Sequence, residues 1–185
     1  MRDRILKDTR DRMQKAVQHF TDELRGVRTG RAAPGLVDGI RVNYYGSLTP
    51  LKQLATISVP EPRQIVIKPF DATAVGEVEK AILKSELGIT PQTDGKLIRL
   101  NLPPMSQEQR EKTVARVKEM AEECRVSVRN VRRDGNRQAE QAGKDKALSE
   151  DDVKSLQAEI QEQTKKAEKE IDEALGKKSE EIRSI

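Results

Sequence analysis

From Val114 onward the apolar residues recur at Val117, Ala121, Cys124, Val128 and Val131, in steps of three, four, three, four and three. On a helix of about 3.6 residues per turn, that spacing draws a single stripe along one side, and a stripe of this kind needs a partner helix to leave water. Two further stretches carry the same pattern. Leu6, Met13, Val17, Phe20, Leu24 and Val27 mark a helix over residues 1–28. Val153, Leu156, Ile160, Ala167, Ile171, Ala174 and Ile182 mark another, with two steps of four around Ala167 and Ile171 that predict a stutter. Three helices, none able to cover its own stripe, predict a three-helix bundle.

Composition agrees with long helices. Charged residues make up 36% and hydrophobic ones 35%, with two Phe, two Tyr and no Trp, which excludes a thick aromatic core. The single cysteine, Cys124, rules out an intramolecular disulfide and suits a reducing compartment. The chain opens Met-Arg-Asp-Arg-Ile-Leu, without the apolar run of a secretory signal, and nowhere do 18 apolar residues follow one another. The expectation is a soluble, cytoplasmic protein.

In the middle of the chain the period changes. Ile40, Val42 and Tyr44 alternate with polar residues, as do Ala55, Ile57 and Val59, then Ile65 and Ile67, then Ile98, Leu100 and Leu102. Alternation is the mark of half-buried strands. Between them Asp71 can cap a helix carrying Val75, Val78, Ile82 and Leu83, with Gly88 placed to end it. The expected fold class is therefore α+β, with a small inserted domain over residues 30–104 and a bundle made of residues 1–29 and 105–185. Two connectors join them, Thr29-Gly30-Arg31 and Pro103-Pro104, and two short tethers confine relative motion to bending about one line, so they are the expected hinge. Serines open the last two helices: Ser106 with Gln109, and Ser149 with Asp152, each have capping-box spacing. The expected bundle core is Val17, Phe20, Leu24, Val117, Cys124, Val128, Val131, Leu156, Ile160 and Ile171.

The formal net charge is +4, and residues 125–137 alone hold five arginines against one aspartate, so the basic excess has an address. Arg125, Arg129, Arg132 and Asn136 line up within roughly 60° of helix, beside the apolar stripe. A row of arginines on a helix is commonly a solvated face paired to nearby acids, and Glu122 lies three residues before Arg125. Against this stand the absence of lysine from the segment and its single acid. Guanidinium groups bind phosphate through two donors, which ammonium groups cannot. Few aromatics exclude a stacking platform for unpaired bases, so recognition would be of backbone and shape.

Catalysis fares poorly. The chain has no phosphate-cradling glycine loop, no metal-ligand spacing and one histidine, His19, placed on an outward helix face. No enzyme activity, cofactor or metal is expected. Cys124 sits in the seam as a small hydrophobe, and of Tyr44 and Tyr45, which face opposite sides of a strand, at least one belongs to the core. The rival to nucleic-acid binding is a coiled-coil scaffold whose flank binds protein helices.

Four stretches resemble one family: Arg28-Thr29-Gly30-Arg31-Ala32; Asp38-Gly39-Ile40 through Tyr44-Tyr45-Gly46 to Gln53-Leu54-Ala55; Leu102-Pro103-Pro104 with Arg110; and Val128-Arg129-Asn130-Val131-Arg132-Arg133-Asp134 with Asn136. Together they make the whole chain similar to the ribosome recycling factors. Ser127 and Gly135 depart from the alanines usual there, and Gln107-Glu108-Gln109 replaces a more acidic helix opening. Glycine inside a helix costs about 1 kcal/mol relative to alanine, so Gly135 is expected to soften the arginine row. The resemblance implies an L-shaped monomer of a bundle and a β/α/β domain. It also implies a non-enzymatic factor that binds the large subunit of the post-termination ribosome and, with elongation factor G and GTP, splits the subunits. Contact with rRNA would fall to Arg28, Arg31, Arg110, Arg129, Asn130, Arg132 and Arg133.

Overall fold

The computed structural model describes residues 1–184. It divides into two compact units, Met1–Leu24 with Val114–Glu180, and Arg25–Thr113 with the stretch beginning at Glu181.

The first unit is built from three helices: α1 (Arg2–Arg25), and most of α4 (Gln107–Lys144) and α5 (Glu150–Arg183). Every pair is joined by named contacts: Arg12 to Asp134 at 3.0 Å between α1 and α4, Arg2 to Glu159 between α1 and α5, and Arg125 to Asp172 at 2.5 Å between α4 and α5. The expected core residues are all buried, and Phe20, Val117, Val128, Leu156, Ile160 and Ile171 are at most 1% exposed. Two hydroxyls complete the stripes where the apolar pattern has gaps. In α1 the buried series is Ile5, Thr9, Met13, so Ile5 rather than Leu6 faces inward, because Thr9 fills the slot one turn before Met13. In α5 Thr164 is fully buried and its hydroxyl donates to the Ile160 carbonyl at 2.9 Å, which satisfies it without a partner helix. The pair of four-residue steps therefore falls at Leu156, Ile160 and Thr164, earlier than the position around Ala167 and Ile171 expected from apolar residues alone.

Both capping boxes form. The Ser106 hydroxyl accepts from Gln109 N–H at 3.2 Å while the Gln109 side chain accepts from Ser106 N–H at 3.0 Å. Ser149 Oγ accepts from Asp152 N–H at 3.1 Å, and Asp152 accepts from the Ser149 backbone at 3.2 Å and hydroxyl at 2.6 Å. Each box satisfies donors that the first helical turn leaves free.

The second unit holds two antiparallel sheets. β1 (Arg41–Tyr44) and β2 (Ser47–Pro50) form a hairpin. Its two-residue turn, Tyr45-Gly46, has positive φ at both positions (48° and 83°), the geometry that matches strand twist. After a single turn, α2 (Leu51–Leu54), come β3 (Ala55–Glu61) and β4 (Gln64–Pro69). Then follow α3 (Val75–Lys84), β5 (Gln92–Asp94) and β6 (Leu97–Asn101), giving a four-stranded sheet of order β3-β4-β6-β5. Ile65 opposite Leu100 and Ile67 opposite Ile98 present one apolar face, and Val78 and Ile82 of α3 belong to the same buried cluster. Asp71 caps the run into α3 through Thr73 N–H at 2.8 Å. Leu83, carried on the same helix, is 57% exposed, because α3 turns Val78 and Ile82, with Val75 and Ala81 beside them, toward the apolar cluster. Gly88 does not end α3; Ser85 does, its hydroxyl and N–H both donating to the Ile82 carbonyl.

The units part the chain after Leu24, after Thr113 and before Glu181. The connectors Thr29-Gly30-Arg31 and Pro103-Pro104 thus lie within the sheet unit, where the Arg28 guanidinium donates to the Pro103 carbonyl at 2.9 Å and ties them together. Gly30 is buried with φ of 90°, a conformation that a side chain would strain.

Candidate nucleic-acid interface

The arginines of α4 are not equivalent. Arg125 is locked: it donates to Glu122 on its own helix at 3.0 Å and to Asp172 of α5 at 2.5 Å, and its side chain is only 21% exposed. The Asp172 bond, opposed by burial and aided by Glu122, raises its already high pKa. It serves as a cross-link between α4 and α5. Arg129 lies one turn on and is held more loosely, at 3.0 Å from Glu122 and 3.9 Å from Glu168. Glu122 is forked, with one oxygen on each guanidinium. The Arg125 bond pulls its carboxyl below the ordinary range; burial opposes this and Arg129 adds to it.

Past this lock the row opens. Among the described residues Arg132 and Arg133 make no ion pair, Arg133 is exposed and Arg132 half-buried, and Asn130 is exposed beside them. Asp134 is taken up elsewhere, by Arg12 of α1 at 3.0 Å and Arg137 at 2.7 Å, and so does not neutralise its neighbour Arg133. Asn136, expected in the stripe, turns its carbonyl oxygen inward, where that atom is buried without a hydrogen-bond partner.

Gly135 is buried in α4 where α1 comes close. A Cβ built there would stand 2.7 Å from the Thr9 hydroxyl and 3.2 Å from Ile160 Cδ1, so glycine is what lets α1 approach this turn of α4.

The other expected contacts lie in the sheet unit. Arg31 is exposed. Arg28 and Arg110 are half-buried, and each has a buried Nε without a hydrogen-bond partner. Arg28 has one donor engaged by the Pro103 carbonyl. Of the two tyrosines, Tyr44 packs edge-on against Tyr45 at 4.6 Å and donates its hydroxyl to Asp71 at 3.0 Å, while Tyr45 is 82% exposed. His19 is exposed on α1, 3.3 Å from Glu23.

The acids that pair with the arginine row are only partly legible in the sequence. Glu122 is visible at helical spacing; Glu168 and Asp172 share a face of α5 at four-residue spacing, but which arginine each meets depends on how α4 and α5 are aligned along their length.

Three long helices with a small sheet unit between the first and second in sequence, and a row of arginines on the second, define a class: helical-bundle proteins with an inserted sheet domain. The sequence profile described as ribosome recycling factor matches residues 20–182. The chain belongs to the ribosome recycling factor family, whose members are translation factors. It is 50% identical over 181 residues to the ribosome-recycling factor of Carboxydothermus hydrogenoformans, covering 98% of each chain. A solution structure of the ribosome recycling factor superposes with a TM-score of 0.82 at 42% identity, covering 100% of this chain and 98% of that one. A chain from a set of models of the T. thermophilus ribosome recycling factor and the E. coli elongation factor G, bound to the E. coli post-termination complex, is 38% identical with a TM-score of 0.70 over 98% of both chains.

Proposed function

We propose that this chain recycles ribosomes after termination: it docks on the large subunit of the post-termination complex and, with elongation factor G and GTP, drives the subunits apart, performing no covalent chemistry itself. The family supports the process, and the relative placed with elongation factor G on the post-termination complex supports the partner. Arg132 and Arg133, adjacent on a rigid helix and free of carboxylates, carry the proposal for this chain's own side chains. Two such guanidiniums can donate bidentate hydrogen bonds to rRNA phosphates. Arg129 and Asn130 extend the contact along α4, and Arg28, Arg31 and Arg110 supply further contacts from the sheet unit. The connectors Thr29-Gly30-Arg31 and Pro103-Pro104 act as the hinge. The factor works as a monomer in the cytoplasm, where its target is; no described helix is long and apolar enough to cross a membrane.

The test is cosedimentation with vacant ribosomes at two salt concentrations, comparing the wild-type chain with an Arg132→Ala/Arg133→Ala variant. Phosphate contacts make log affinity fall linearly with log salt, and each one removed lowers the slope by about one unit or slightly less. The variant should bind more weakly and with a shallower slope at unchanged helix content. An unaltered slope would return these arginines to solvent-facing decoration and favour the scaffold alternative.

A further inference from the structure

The forked carboxylate of Glu122 raises a question that the docking role does not answer. A surface built to grip phosphate carries a negative charge within 3.0 Å of one of its own guanidiniums. Arg125 has no need of Glu122, because Asp172 already holds it at 2.5 Å. Arg129 depends on Glu122, since its only other acid among the described residues, Glu168, is 3.9 Å away. Asp134, further along α4, is bound to Arg12 and Arg137. Glu122 is thus the one close carboxylate, among the described residues, on an arginine of the row that nothing else immobilises.

Resting on the proposed rRNA contact, we infer that Glu122 is a specificity-determining residue: it occupies Arg129 in the free factor as an internal stand-in for phosphate, so that only a partner presenting a dense, correctly spaced phosphate array displaces it. An isolated anion or an irregular strand offers Arg129 no more than Glu122 does, and also meets the repulsion of the carboxylate. A rigid duplex backbone that is already engaged by Arg132 and Arg133 offers the exchange at high effective concentration. The carboxylate then turns outward to water, and Arg125 stays where Asp172 holds it.

The experiment measures equilibrium binding of the full chain to vacant large ribosomal subunits and to a single-stranded non-ribosomal RNA. The proteins are wild type, Glu122→Gln, Glu123→Gln, Glu168→Gln, Arg129→Ala and Glu122→Gln/Arg129→Ala. Glu123 is an exposed neighbour with no ion pair among the described residues, so its neutralisation changes net charge equally without freeing Arg129. Glu122→Gln should tighten binding to the single-stranded RNA by about three- to fivefold, the scale of one exposed ion pair released, with a smaller gain on the large subunit. Glu123→Gln should change both by less than about twofold. In the Arg129→Ala background Glu122→Gln should add nothing. Glu168→Gln, which removes only the longer contact, should act in the same direction and more weakly.

Equal effects of Glu122→Gln and Glu123→Gln, or a Glu122→Gln gain that survives Arg129→Ala, would reduce Glu122 to its bulk charge and overturn the inference while leaving the arginine contact standing. Weaker binding by Glu122→Gln would overturn it too, by showing that the carboxylate props Arg129 in its working pose. Binding untouched by Arg129→Ala removes the basis of both.

Discussion

At Gly135 helix propensity and packing oppose each other. Alanine is the better helix former by about 1 kcal/mol, yet its methyl group would press on the Thr9 hydroxyl at 2.7 Å. Thr9 is short, β-branched and 2% exposed, so it has little room to yield. Gly135→Ala should therefore destabilise the chain by about 1–2 kcal/mol net in urea unfolding, overpacking outweighing the propensity gain. Thr9→Ala/Gly135→Ala should recover most of the loss. A stabilised single variant would show that α1 slides away at little cost. Cys124 gives a second test at this scale. Burial pushes its thiol up to about 11, and it donates to the Ala16 carbonyl at 3.4 Å. At pH 8 its reaction with a disulfide reagent should be at least about 100-fold slower in the native protein than in denaturant, since the thiolate is the reactive form. Rapid native labelling would mean that the seam opens readily.

Elements are legible in proportion to how local their signals are. The long helices announce themselves twice, by seven-residue spacing and by serines whose partners lie three residues away, and both capping boxes are present as bonded pairs. Ser149→Ala should cost about 1 kcal/mol. Its pH dependence follows from Asp152, whose carboxyl is held below its ordinary value first by the Ser149 hydroxyl and then by the Ser149 backbone N–H. A depressed folded pKa contributes stability that is present above the unfolded value near about 4 and lost as pH falls through the folded one. The gap between wild type and Ser149→Ala, measured by urea titration, should thus be widest near neutrality and narrow in acid. A gap independent of pH would detach the carboxylate from the cap. The strands β2 and β5 are illegible for the converse reason: they are sheet-edge pieces of four and three residues with no buried position, so they leave no alternation to read. Likewise Thr9 and Thr164 do not read as core, because a hydroxyl bonded within its own helix can occupy an apolar stripe, as Thr164 does. The arginine row is legible as a row, but its division into locked and open halves is not, because Asp172 and Glu168 reach it from another helix.

For the whole molecule, the sequence predicts two tethers meeting at one hinge, and the chain passes between the compact units three times: at the end of α1, within α4 and near the end of α5. Motion about Thr29-Gly30-Arg31 and Pro103-Pro104 should then appear as a change in the distance between labels placed at Ser127 on α4 and at Ser47 on β2 when ribosomes and elongation factor G are added. A single unvarying distance in every state would discard the hinge.

Those crossings also bear on how the protein is made. Ile182 is fully buried, and the stretch from Glu181 belongs with strands encoded roughly a hundred residues earlier, while the bundle waits for α5 up to Glu180. The bundle therefore cannot close until α5 has been made, more than a hundred residues after α1. Closure of the three-helix unit thus waits on the latest made of its helices.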